Sequence, residues 1–287
     1  MCKKIIHCLN WELKAIEENL EKIRYQGFTT ILTSPLQGIK ENRAEWWLPY
    51  QPLHLEVKDN RIGNYEELKS LCRRANDLGL EIMVDCVFDH VADSRPNEFN
   101  ERVTIPKEFQ RTKEQVCDWH NRWQVTHLSS GNLPHLEYDN GRLQDLICNY
   151  VESLVTAGVK AIRIDQCKHL ALPSEGSSFF RRLITQFSDR LDIYGEVIFE
   201  TPWVVDDYAK YIIPITETLG NNYNQCLFFE SHDVYYSFGG RDNNTIYDTI
   251  QGYKRCVLAD KYAALFFPRP FDNTWQTDEI REINKLR

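Results

Sequence analysis

Apolar positions along the chain fall into two alternating rhythms. Leu13, Ile16, Leu20 and Ile23 recur at helical spacing, and the pattern predicts a helix capped at Asn10 and stopped at Gly27. The apolar run "FTTILTSP" follows and has the length of a buried strand. A second unit repeats the order. Asn64 and Glu67 stand as a capping box, Leu68, Leu71, Ala75 and Leu78 share one face, and Gly79 opens into "LEIMVD". A third starts near Asn140, carries Leu143, Leu146, Ile147, Tyr150 and Leu154, and passes through Gly158 into "VKAIRID". Units of this kind predict a parallel sheet with helical crossovers.

Acids punctuate the ends of the apolar runs: Asp85, Asp165, Glu196 in "LDIYGEV" and Asp233 in "CLFFESHD". Acids gathered at the C-terminal ends of parallel strands are where an α/β fold of the TIM (β/α)8 barrel type builds its active site. Residues 1–90 and 136–287 are expected to form that barrel. Residues 91–135, polar, Trp-containing and without a clear period, read as a small subdomain inserted after the third strand.

Composition narrows the partners. The chain has 287 residues, 42% of them hydrophobic, enough for a large core, and its net charge of −8 argues against a nucleic-acid partner. Its nine cysteines form an odd set without a CxxC pair, which fits reduced core thiols and a cytoplasmic setting. The opening "MCKKIIHCL" shows neither an export signal nor a membrane segment, and no organic cofactor is expected. Oligomeric state is not legible.

Cleaving an acetal between sugars requires one carboxylate at the anomeric carbon and one protonated carboxyl at the leaving oxygen. Asp165, Glu196 and Asp233, each after a different strand, suit that task, and Arg163 lies on the same strand face as Asp165 to hold it ionised. On this segment alone, a structural Arg163–Asp165 ion pair explains the pattern equally well. His90 and His232 stand beside acids past strand ends, a pattern that suits imidazole N–H donation to sugar hydroxyls, although a single histidine there is more often satisfied by protein groups. "WWLPYQP" adds Trp46, Trp47, Tyr50 and Gln51; their rings suit either a core plug or the apolar faces of pyranose units.

Taken in order, these segments resemble the alpha-amylase family of retaining glycoside hydrolases over nearly the whole chain, from "IIHCLNWEL" to "INKLR". "EIMVDCVFDHVA" is similar to the family's first signature, with Asp85 and His90 in matching places. "GVKAIRIDQCKHL" is similar to the second, which implies Asp165 as nucleophile, Arg163 as its orienting cation, and Lys168 and His169 on the acceptor side. "IYGEV" implies Glu196 as acid/base, and "FFESHD" implies His232 as a sugar ligand and Asp233 as transition-state stabiliser.

The resemblance also implies a calcium site at the Asp89 side chain, the end of the inserted subdomain and the backbone carbonyl at His169, but the chain places His135 where a carboxylate is expected, which weakens a site that prefers hard oxygens. Chloride is not expected: Ser231 stands where its asparagine ligand belongs, although Arg269 suits the later basic ligand. "YIIPITETL" and "CLFFESHD" resemble strands six and seven, yet only "GNNYNQ" separates them, so the sixth helix is expected to be missing or shortened. Ala161 and Gln166 stand where relatives often carry glycine and alanine.

The resemblance implies hydrolysis of internal α-1,4 bonds in starch, glycogen or maltodextrins. A 4-α-glucanotransferase would use the same residues, and a non-catalytic glucan-binding protein would use Trp46, Trp47 and Tyr50 as its platform. A metal-dependent barrel hydrolase ranks last, because the strand-end histidines pair with acids rather than with one another.

Overall fold

The computed structural model describes residues 2–41, 45–95, 98–112, 114–270 and 272–287. Eight parallel strands close into a barrel: β1 (Lys3–Cys8), β2 (Thr30–Thr33), β3 (Glu81–Cys86), β4 (Ala161–Ile164), β5 (Asp192–Glu196), β6 (Ile213–Thr216), β7 (Cys226–Phe228) and β8 (Ala263–Phe266), with β8 pairing back to β1. The helices are α1 (Leu13–Tyr25), α2 (Tyr65–Asp77), α3 (Arg122–His127), α4 (Gly141–Ala157), α5 (Phe179–Phe187), α6 (Pro202–Tyr208), α7 (His232–Tyr236), α8 (Gly240–Asn243), α9 (Ile246–Leu258) and α10 (Asp278–Asn284).

Local signals account for most helix starts. Asn64 and Glu67 form the reciprocal capping box of α2, and the Asn140 side chain accepts from the N–H groups of Arg142 and Leu143. Gly158 takes φ 102° behind α4, a conformation that favours glycine. Asn10 does not cap α1. It sits at φ 61°, its Nδ2 donates to the Trp46 carbonyl and its Oδ1 accepts from Arg61, while α1 starts at Leu13 behind Glu12. Leu146 is exposed, so the buried face of α4 is carried by Leu143, Ile147, Tyr150 and Leu154.

Strand alternation separates two cores. Ile6, Ile31, Ile82, Val84, Ile162 and Ile164 point outward against the helices, while Ile5, Leu32, Met83, Ala161, Tyr194 and Leu265 fill the barrel. The inward face is layered. At the N-terminal end Lys3 pairs with Glu81 at 2.7 Å and Asp192 at 2.8 Å; the apolar layer lies above it; two residues further on come His7, Asp85, Arg163 and Glu196. A period of two therefore places charge at both ends and apolar side chains between.

Residues 217–225 join β6 to β7 without a helix. The Asp206 carboxylate accepts from the N–H groups of Asn221 and Asn222, and the buried Lys261 Nζ donates to the carbonyls of Gly220 and Asn222. These ties satisfy backbone groups that a crossover helix would have satisfied itself. The segment between β3 and α4 holds α3, a 3-10 turn at Lys107–Phe109 and the isolated bridges His90–His135, Asp93–Phe99, Gln110–Leu136 and Gln115–Ser129. No helix among the described residues is long and apolar enough to cross a membrane.

Candidate active site

Strand register brings the ionisable groups together at the C-terminal mouth. Asp85 and Arg163 are register partners across β3 and β4, and Arg163 faces Tyr194 of β5, two residues before Glu196. The buried Arg163 becomes the hub of three carboxylates. Its Nη1 donates to Asp85 at 2.5 Å and to Asp165 at 3.2 Å, and its Nη2 donates to Glu196. Its shortest contacts thus go to Asp85 and Glu196 rather than to Asp165 alone. The planar guanidinium can face several acceptors at once, and three converge on it here.

Asp165 follows β4 directly, and Glu196 ends β5; both are buried. The second oxygen of Glu196 accepts from the Gln166 N–H at 3.1 Å. Gly195 makes this approach possible, because a Cβ there would lie 2.4 Å from the Cys167 sulfur and from Ile212 Cδ1. Asp165, Glu196 and His232 offer ligand atoms within 4.8 Å of one another. The Arg163 guanidinium already supplies positive charge to both acids.

Burial, and then the charge of Glu196, push the Asp165 carboxyl well above the usual carboxylate range, against the pull of Arg163. Burial likewise lifts Asp85 to about 6, opposed by Arg163. Asp233, in the first turn of α7, is raised mainly by burial and lies 3.4 Å from His232 Nε2. His232 is lowered to about 3 by burial and by the nearby Arg163 cation, so it is a neutral imidazole.

Aromatic rings build the wall. Tyr50 stacks on His232 at 5.0 Å and 8°, and its hydroxyl donates to Asp85 at 3.0 Å. Trp46 stacks on Tyr236 at 5.1 Å and 6°. A cavity of about 220 Å³ is lined by Trp46, Trp47, Tyr50, Gln51, Asp165, Glu196, His232 and Asp233, together with Leu133 and Gln166.

Five other expected site residues do not line this cavity. Asp85 and Arg163 are buried and hydrogen-bonded to its acids or rings. His90 spans Asp89 at 2.9 Å and the Tyr50 carbonyl at 2.8 Å, so both ring nitrogens hold protein groups. Lys168 Nζ donates to the Ile198 carbonyl at 3.0 Å and lies 3.7 Å from Glu200. His169 is buried, edge-on to Trp119 at 5.8 Å.

Two neighbours are absent from the sequence reading. His7 meets His232 edge-to-face at 5.0 Å, and Leu133 reaches the cavity from the segment before α4. A polar residue amid the apolar run of β1 is the signal that points to His7. Leu133 carries no such signal.

The position expected to hold calcium contains Asp89, whose carboxylate is bound to His90, and two buried imidazoles: His135, with both ring nitrogens unpartnered, and His169, with Nδ1 unpartnered. Calcium takes roughly six to eight oxygen ligands. One carboxylate already bound to His90, with the His135 imidazole where a second carboxylate is expected, is an oxygen-poor side-chain set for it. At the place considered for chloride, Arg269 instead forks onto the buried Glu230 carboxylate at 2.7 and 2.8 Å.

Comparison with known proteins agrees with this architecture. Residues 10–238 match the family model described as "Alpha amylase, catalytic domain". An alpha-amylase of Clostridium acetobutylicum is 29% identical over 330 residues, covering 98% of this chain and 43% of its own length; the chain thus spans less than half of that relative. The fold superposes on the alpha-amylase of Geobacillus thermoleovorans, solved with acarbose, at a TM-score of 0.78 and 17% identity, over 99% of this chain and 78% of the other. A gamma-CGTase from alkalophilic Bacillus clarkii aligns at 0.75 and 11%, over 99% and 56%. An eight-stranded barrel, acids at its strand ends and the family match over residues 10–238 lead to one conclusion: this chain belongs to the alpha-amylase family.

Proposed function

We propose that the chain hydrolyses internal α-1,4 bonds of α-glucans by a retaining double displacement, on a barrel of residues 1–90 and 136–287 with residues 91–135 as an inserted subdomain. The observation that carries this reading is the Asp165–Glu196 pair: two buried acids within 4.8 Å, both bonded to Arg163, at an aromatic-walled cavity. Retaining enzymes hold their carboxyl groups about 5–5.5 Å apart, too close for an intervening water.

In this mechanism Asp165 attacks the anomeric carbon while Glu196 gives its proton to the leaving oxygen; Glu196 then takes a proton from water as it breaks the glycosyl ester. Like charges at this separation favour one shared proton over two anions. Asp233 and the neutral His232 face the same cavity and suit the sugar hydroxyls. No step runs through a metal. The acarbose complex of the Geobacillus protein supports an α-glucan ligand for this chain as well.

The test is reducing-sugar release from soluble starch. Glu196→Gln should lose activity by about 10²–10⁴-fold, the usual worth of a general acid, with folding unchanged. Wild-type-like turnover in that variant would remove Glu196 from the role.

One observation favours glucan transfer as a second reading. Phe199, three residues past Glu196, is half exposed and packs edge-to-face on the exposed Phe238 at 4.6 Å, giving an apolar ledge suited to an acceptor sugar. Oligosaccharides longer than maltotriose, formed from maltotriose, would indicate transfer.

A further inference from the structure

The cavity wall contains two polar side chains that the chemistry above leaves without a task, Gln51 and Gln166, and of these Gln166 adjoins the reacting acids. Gln166 follows Asp165, and its backbone lies in the left-handed region at φ 45° and ψ 36°. Few residues with a Cβ adopt this conformation, and it carries a steric cost. The backbone benefit is plain: the Gln166 N–H meets Glu196 at 3.1 Å, and its carbonyl accepts from the His169 N–H at 2.8 Å.

Glycine would provide both bonds without strain. The side chain therefore needs its own explanation. It lines the cavity beside Asp165 and Glu196, and its Oε1 is buried without a hydrogen-bond partner. An unpaired buried carboxamide oxygen is costly unless a ligand brings the missing donor.

Position indicates which part of the ligand. One oxygen of Glu196 is held by Arg163 and the other by the Gln166 N–H, so Gln166 flanks the carboxyl that would meet the leaving oxygen. We propose that Gln166 is a specificity residue for the leaving group: its carboxamide oxygen accepts a hydrogen bond from a hydroxyl of the sugar beyond the scissile bond. This rests on the glycosidase reading of Asp165 and Glu196. Leaving groups bearing hydroxyls are thereby favoured over flat aryl groups without them.

The experiment compares kcat/KM for maltotriose with kcat/KM for 4-nitrophenyl release from 4-nitrophenyl α-maltoside, in wild type, Gln166→Ala and Gln166→Gly. In both variants the maltotriose value should fall about tenfold further than the aryl value, the worth of one lost hydrogen bond. Gln166→Gly, freed of the left-handed strain, should also melt about 2 °C higher, which separates lost recognition from lost folding. A ratio within about twofold of wild type in both variants overturns the proposal, since a backbone role alone predicts equal effects on both substrates. A wild-type protein that cleaves neither substrate overturns the glycosidase reading and this proposal with it.

Discussion

Arg163 shows how one residue organises a site. A lysine there keeps the charge but presents a single point, and cannot face Asp85, Asp165 and Glu196 together. Arg163→Lys should lower kcat by about 10²-fold while a folded spectrum persists, the scale of one misplaced electrostatic group. In the proposed mechanism Asp165 sets the acid limb of the pH profile. It attacks only as an anion, and its carboxyl is held above the ordinary range by burial and Glu196, so kcat/KM should fall as pH drops through a point above about 4. A limb at or below that value in a profile taken from about pH 3 to 8 would contradict the buried pairing. At this scale the sequence was readable where the signal is local: Asp85, Arg163, Asp165 and Glu196 sit at predicted strand ends. It left His90 open between a sugar donor and a structural histidine, because the contact to the Tyr50 carbonyl exists only once a loop forty residues away has folded back.

Elements convert those residues into a constellation. Gly195 allows the 3-10 turn at Cys167–His169 to lie against β5, which carries Asp165 and Gln166 to Glu196. Gly195→Ala should destabilise the fold by about 1–3 kcal/mol in urea titrations and depress activity, the ordinary cost of overpacking. Helix termini were legible because caps are local chemistry; the Asn64–Glu67 box and the Asn140 cap are visible in a few consecutive letters. Asn10 has the same letter but spends its side chain on Trp46 and Arg61, partners distant in sequence, so the same rule fails there. The unhelical β6–β7 link was legible from its length, and its stapling by Asp206 and Lys261 was not.

Across the whole molecule, electrostatics tie stability to pH. His7 is buried, with its proton affinity lowered by burial and by His232 and Arg163, so the native state holds it neutral, while an unfolded histidine titrates near about 6.5. A depressed value stabilises above the unfolded pKa and loses that contribution as pH falls. The stability of wild type relative to His7→Phe should therefore shrink by about 1.4 kcal/mol per pH unit below 6.5, read from urea unfolding in parallel buffers. Parallel pH dependences would mean that His7 is not held neutral. The imidazole-rich position at Asp89, His135 and His169 makes a second whole-molecule statement: incubation with EDTA should leave the melting temperature unchanged within about 2 °C, whereas a calcium-held fold would lose more than that.

The closure of β8 onto β1 has a consequence for how the protein is made. Lys3 pairs with Ala263 and Ile6 with Phe266, so the barrel's own first strand in synthesis waits for the barrel's eighth. Until then β1 offers an unpaired edge, and the charged floor of Lys3, Glu81 and Asp192 lacks the Tyr262 hydroxyl that donates to Asp192 just before β8. Such distant pairing slows folding, because loop closure must come before any reward for contact. A nascent chain halted before Ala263 carries two open edges, at β1 and at β7, and is a substrate for chaperones and for self-association in a way the finished barrel is not.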